Sequence, residues 1–325
     1  MCDTSNELIK KLVLNFFKCL HIDLKPEEIK LMTWANQETF LNQTIHSSLF
    51  KKYPINQNFC RLFFKRIIQT LDQEDQEIHD DMYTFICSTM KNCDENGFNY
   101  HHYVINNNIS NVITIKETRN MVINGTTGLK TWEAALMLSD WSLCNKQLFS
   151  NKKILELGSG VGFTGITIAK HCQIKSIIMS DCHAEVLKTI NDNIQINFPN
   201  AIAEERSNAT MYKSDTKMIG TLMLDWNEIN DLSTCLIPDV IIGADIVYDP
   251  SILQALLNVF ELFYKRNDNI NIYIASVIRN KDTFNKFVKI LDSSNFKHKQ
   301  LCLMKNTFID WDVNIDKCLL KITKE

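Results

Sequence analysis

The sequence predicts an α/β fold: a doubly wound, seven-stranded and mostly parallel sheet behind a helical N-terminal extension. Three observations carry this. Up to about residue 105, apolar residues recur at three- and four-residue steps, the spacing of amphipathic helices. From Lys153 onward, short apolar runs alternate with helix-length segments, as in a parallel sheet covered on both faces. At the start of that second region, ILELGSGVGFTG (Ile154 to Gly165) reads as an apolar strand that breaks into a glycine-rich turn and opens a helix.

The N-terminal helices are expected in LIKKLVLNFFKCL, NFCRLFFKRIIQTL and DDMYTFICSTMKNC. Pro54 in KKYPINQN restricts Tyr53 to extended geometry and separates two helices. The polar, Asn-rich stretch CDENGFNYHHYVINNN reads as a linker, which divides the chain into a helical region, 1–108, and a second domain, 109–325. NVITIKETRNMVI then alternates like a strand pair, NGTTG supplies a turn, and TWEAALMLSDW returns to helical spacing. The strand candidates that follow are KILEL, SIIMS, TLMLDW, DVIIGAD and INIYIASV. GFTGITIAKHC, AEVLKTINDNIQIN and PSILQALLNVFELFYK are the helices between several of them. The last two candidates, KHKQLCLM and KCLLKITK, have no helix-length segment between them and should pair antiparallel, giving a reversed sheet edge.

With 45% hydrophobic and 22% charged residues in 325, the chain can fill a sizeable core. The net charge of −3 gives no reason to expect a nucleic acid partner. No apolar run approaches the roughly 18 residues that span a bilayer, so no membrane association is expected. The first residues lack a cleavage site and read as an amphipathic helix, not an export signal. Eleven cysteines without framework spacing suit a reducing, cytoplasmic location. The pairs His171–Cys172 and Cys182–His183 lack metal-site spacing, and no metal is expected. Nothing demands more than a monomer.

In an open sheet of this kind ligands sit beyond the carboxyl ends of the strands. Gly158, Ser159 and Gly160 fall there, where a missing side chain permits a tight turn and close ligand approach. The dinucleotide fingerprint asks for a third glycine where Phe163 stands, and no Gly-Lys-Ser/Thr follows for a phosphate loop. Asp181 closes SIIMSD, 23 residues after Gly158, where a carboxylate can accept both ribose hydroxyls of an adenosine cofactor. Glu156 lies inside a strand, where a carboxylate is costly unless paired. It is expected to bond near the ligand or to orient the glycine loop.

LELGSGVGFTG resembles the first motif of the seven-strand S-adenosylmethionine-dependent methyltransferases. With GTTGLKTWEAALMLSDW, LDW and GADIVYD, the resemblance narrows to the protein-lysine methyltransferases of that Rossmann-like superfamily. YPINQNFCRLFFKRIIQTL, DDMYTF and YHHYVI resemble, in order, the helical extension of the branch that acts on eukaryotic elongation factor 2. The resemblance implies S-adenosyl-L-methionine as cofactor and a lysine of elongation factor 2 as substrate, with residues 1–108 helping to recognise it. It implies cofactor contacts from Trp132 and Trp226, and a small residue at Ala244 where cofactor passes. It implies that Asp245 and Tyr248, the ends of the family's Asp-x-x-Tyr motif, line the reaction site. Direct proton transfer from a lysine ammonium to an aspartate is uphill by roughly 9 kcal/mol, so Asp245 suits drawing in and aiming the ammonium better than acting as a base. Tyr248 suits an aromatic wall beside the methylammonium. Other readings are the same chemistry on another protein, a binding module that has lost catalysis, and last a dinucleotide oxidoreductase.

Overall fold

A computed structural model describes residues 2–89, 97–122, 125–214, 216–228, 237–304 and 306–324. They form two compact units, Met1–Arg119 and Asn120–Glu325.

The first unit contains helices α1 (Cys2–Phe17), α2 (Pro26–Ile29), α3 (Trp34–Gln43), α4 (Ser48–Lys52), α5 (Gln57–Gln73) and α6 (Asp80–Thr89). The predicted third helix continues to Cys93, and its last four positions lie outside the described residues. Apolar faces at helical spacing meet in a core rich in phenylalanine: Phe16, Phe17, Phe40, Phe63 and Phe64 are all buried. Phe16 and Phe63 pack edge to face at 5.3 Å.

The expected linker is a correction. Strand β1 (Phe98–Val104) pairs antiparallel with β2 (Val112–Thr118), in register from Phe98 opposite Thr118 to Val104 opposite Val112. Residues 93–96 of the stretch lie outside the described residues. The asparagines mark the hairpin turn: Asn106 and Asn107 have φ of 53° and 51°, a region asparagine tolerates better than most residues. The division expected at 108/109 falls inside this hairpin. His102 ties β1 into the core. Its Nδ1 lies 2.9 Å from Thr114 Oγ1 and its Nε2 lies 2.9 Å from the Tyr53 carbonyl.

The second unit opens with α7 (Glu133–Cys144), β3 (Lys153–Leu157), α8 (Phe163–His171), β4 (Ser176–Asp181) and α9 (Ala184–Asn197). It continues through β5 (Ile202–Glu205), β6 (Ala209–Ser214), β7 (Lys217–Met223), β8 (Val240–Ala244) and α10 (Leu253–Arg266). It ends with β9 (Asn271–Val277), α11 (Lys281–Ser293), β10 (Phe296–Gln300) and β11 (Lys317–Lys324). The sheet order is β10-β11-β9-β8-β3-β4-β7-β6-β5.

The strands β9, β8, β3, β4 and β7 are parallel, and β11 runs antiparallel between β9 and the edge strand β10, so the pair is antiparallel as expected and β11 is the reversed strand. The seven expected strands become nine because β5 and β6 add an antiparallel hairpin beyond β7. Every residue of β5 is exposed, so it has no apolar alternation to reveal it. Leu155 and Leu157 face a core built with α10 and α11. Glu156 points the other way, toward α8, where a Cβ on Gly165 would lie 2.6 Å from its Oε2. Alternation along one strand therefore aims a single carboxylate away from the leucine core.

One buried anchor fixes the segment between β10 and β11. Asp140, in α7, accepts the backbone N–H groups of Thr307, Phe308 and Ile309 and the indole N–H of Trp311. A buried carboxylate with four donors is compensated for leaving water.

Candidate active site at the carboxyl ends of the strands

The glycine turn begins where β3 stops. Gly158 and Gly160 have φ of 58° and 53°, conformations a side chain disfavours. A Cβ on Gly158 would lie 2.7 Å from Ile246 Cγ2, and one on Gly160 would lie 3.1 Å from the Gly128 carbonyl. The turn is held from outside. Ser159 N–H donates to the Ser180 carbonyl at 2.9 Å, and Asn193 Nδ2, buried on α9, donates to the Val161 carbonyl at 2.9 Å. Phe163, where a dinucleotide fingerprint has glycine, is buried in the first turn of α8.

Two carboxyls serve this turn in different ways. Glu156 is fully buried beneath it, and its Oε2 has no hydrogen-bond partner among the described residues. Burial pushes its pKa up to about 8, against the pull of Ser159, the Gly165 N–H and Thr164. Glu156 therefore faces the underside of the loop, as a residue that orients it would. Asp181 ends β4, and its Oδ1 accepts the His183 N–H at 3.1 Å. Burial raises its pKa despite the backbone N–H groups of His183, Gly160 and Cys182. A carboxylate held at such a cost gains most from new donors, and a ribose diol supplies two.

The remaining predicted residues surround these. Trp226 lies three positions beyond the end of β7, in the following turn and not at the strand end as the sequence suggested. Its ring stands 3.6 Å from where a Gly158 Cβ would be. Trp132 caps the start of α7 and donates its indole N–H to the Thr127 carbonyl at 3.0 Å. Ala244 ends β8. Tyr248 follows and is 56% exposed. Partial burial raises its phenol pKa, while a hydrogen bond with Thr127 pulls the other way. Thr127 thus connects Trp132 to Tyr248.

Asp245 has φ of 56° and is almost fully buried. Its Oδ1 accepts the Val277 N–H at 2.9 Å, and its Oδ2 accepts Arg279 Nη2 at 2.9 Å. The Arg279 guanidinium carbon also lies 5.0 Å from the centre of the Trp132 ring. Sequence reasoning missed Arg279, Thr127, Gly128 and Asn193. Thr127 and Gly128 lie in the quoted GTTGLK motif without a role assigned to them, and Arg279 left a signal as a charged residue just past the carboxyl end of β9, where ligands bind in such sheets.

The geometry fits an adenosyl cofactor: bare backbone at Gly158 and Gly160, a carboxylate at Asp181 whose charge burial disfavours, and an aromatic face at Trp226.

A sequence model of a lysine methyltransferase family matches residues 108–294. Human protein-lysine N-methyltransferase EEF2KMT is 27% identical, over 91% of this chain and 89% of its own length. An uncharacterised protein of Dictyostelium discoideum is 33% identical, over 78% of this chain and 76% of its own length. Protein-lysine N-methyltransferase EFM3 of Chaetomium thermophilum is 35% identical, over 54% of this chain and 50% of its own length. The matched residues run from just before β2 through α11 and include every predicted site residue, so the chain belongs to the lysine methyltransferase family.

Proposed function

We propose that the chain transfers a methyl group from S-adenosyl-L-methionine to a lysine of eukaryotic elongation factor 2. The observation that carries the cofactor is the bare turn at Gly158 and Gly160 beside Asp181. The target rests on similarity to human EEF2KMT across 91% of the chain, which includes the helical unit as well as the catalytic one. We assign residues 1–108 to substrate recognition, and a monomer in the cytoplasm as the working state. Cys19, Cys60, Cys87, Cys144, Cys172, Cys182, Cys302 and Cys318 are free, which supports a reducing compartment.

When bound, S-adenosyl-L-methionine supplies an electrophilic methyl on a sulfonium. Asp181 would accept the ribose hydroxyls, the bare Gly158–Gly160 backbone would admit the amino-acid portion, and Trp226 would offer an aromatic face to the adenine. Glu156, neutral when its pKa is about 8, steadies the loop without adding charge beside it. Only a neutral amine has the lone pair to attack. Asp245 attracts and directs the ammonium, the proton leaves to water, and Tyr248 lines the path with an aromatic face that tolerates methylammonium. Placing the amine in line with the methyl is the protein's main contribution to the rate.

Incubating the protein with labelled methyl donor and purified elongation factor 2 tests this; label on a lysine is expected, and none on any lysine rejects the target. A second reading keeps the chemistry and changes the target. It is favoured by the family match, which starts at residue 108 and leaves most of the helical unit aside. Deleting the whole first unit, residues 1–119, separates them: loss of affinity for elongation factor 2 with cofactor binding intact supports recognition by that unit.

A further inference from the structure

Two groups hold the Arg279 guanidinium. One is the Asp245 carboxylate, through Nη2 at 2.9 Å, and the other is the Trp132 indole, 5.0 Å from Cζ to ring centre. These are the partners that a lysine ammonium seeks, an anion on one side and an aromatic face on the other. The Arg279–Asp245 contact is made through one nitrogen. Arginine usually grips a carboxylate with both arms of its fork, but here Oδ1 is committed to the Val277 N–H. A single charge-assisted contact is one that an ammonium reproduces in full.

The two partners also differ in freedom. The Asp245 side chain is 7% exposed and fixed by the left-handed backbone at φ 56° and by the Asp245 N–H bond to Ala275. The Arg279 side chain is 48% exposed, on the stretch between β9 and α11. A half-exposed guanidinium regains water when it leaves, and the buried carboxylate then requires another cation in its place.

We propose that Arg279 is an internal stand-in for the target lysine: its guanidinium occupies the ammonium position between Asp245 and Trp132, and the incoming lysine displaces it. This rests on the assignment of Asp245 to the lysine-receiving end of the site. The arrangement keeps Asp245 neutralised between turnovers and bars small amines that cannot compete with a tethered cation. It makes Arg279 a determinant of which lysines enter.

The test uses n-butylammonium, the lysine side chain without its backbone, followed by the indole N–H resonance of Trp132, which Trp132→Phe identifies by its loss. Relative to the wild type, Arg279→Ala should bind the probe about fivefold more tightly, the size of an exposed ion pair. Arg279→Lys should stay within about twofold, because it keeps a cation in place. On a protein substrate Arg279→Ala should lower KM by a larger factor than it changes kcat. Unchanged or weaker probe binding in Arg279→Ala overturns the proposal, as does a fall in kcat restored by Arg279→Lys, the signature of a residue that merely orients Asp245. A Trp132 resonance that ignores the probe in every variant also overturns it. Wild-type protein that binds the probe and leaves elongation factor 2 unlabelled removes the target and spares the inference.

Discussion

Both units bury titratable side chains, and they treat them differently. In the first, His102 finds a partner for each ring nitrogen, Thr114 and the Tyr53 carbonyl. In the second, Glu156 keeps one oxygen without a partner, Asp181 has its pKa raised, and Asp245 sits at positive φ. The first pattern is that of a buried ring held by the packing around it, with both nitrogens bonded. The second concentrates unfavourable terms at the carboxyl ends of β3, β4 and β8, where a ligand can relieve them. Tension at one end of a sheet locates the site as well as the motif does.

Mutations should divide along this line. The largest effect is expected from Phe64→Ala, which empties a fully buried position in the first unit. It should cost about 3–5 kcal/mol in urea unfolding and leave cofactor affinity unchanged. Asp181→Asn should do the reverse. Loss of charge-assisted bonds to the ribose should weaken cofactor binding about 100-fold by calorimetry. The raised pKa means that the carboxylate opposes folding above the unfolded value, so the ligand-free variant should melt higher than the wild type near pH 8. A lower melting temperature would mean that Asp181 serves the fold more than the ligand.

The same division governs what the sequence could reveal. The parallel core was legible because β3, β4, β8 and β9 are buried on both faces and read as apolar runs. The β5–β6 hairpin was not, since its outer strand is wholly exposed. The β1–β2 hairpin was hidden by asparagines that signal a turn and a linker equally well. Within the site, Gly158, Gly160 and Asp181 were legible because each answers a backbone or ligand constraint at fixed spacing. Thr127 and Asn193 contribute one hydrogen bond each from distant elements, which no local pattern encodes. Arg279 matters through Asp245 and Trp132, a relation that exists only once β8, β9 and α7 are assembled.

The pH response should separate the units more finely. Glu156, at about 8 in the fold, binds its proton more tightly than in the unfolded chain, where glutamate titrates near 4.3. Its contribution is complete below about pH 4 and is lost as pH rises toward 8, so stability of the second unit should fall across that window. His102, lowered to about 4 by burial, behaves oppositely. The unfolded chain binds its proton first, near 6.5, so stability of the first unit should fall as pH drops from about 6.5 to 4. Unfolding followed at Trp34 in the first unit and at Trp226 in the second, from pH 4.5 to 8.5, should give slopes of opposite sign from these two groups. Glu156→Gln should flatten the alkaline loss, and an unchanged slope would show that the carboxyl is not the titrating group.

The smallest effect makes the most discriminating comparison, because both units contain the same local device. Asn56 caps α5 through the Phe59 N–H, and Asn280 caps α11 through the N–H groups of Asp282 and Thr283. Removing an asparagine cap costs about 1 kcal/mol wherever it occurs. Asn56 is also buried and donates to Asn99 Oδ1 at 3.2 Å, which links α5 to β1. Asn56→Ala should therefore lose the cap and a cross-element bond, about 2 kcal/mol in all. Asn280→Ala should stay near 1 kcal/mol in stability. It follows Arg279 directly in the chain, so a frayed α11 loosens the segment that positions the guanidinium. The expected signature is a small stability loss in Asn280→Ala with tighter n-butylammonium binding, and a larger loss in Asn56→Ala with binding unchanged. Equal binding in the two variants would mean that the start of α11 does not hold Arg279 over Trp132.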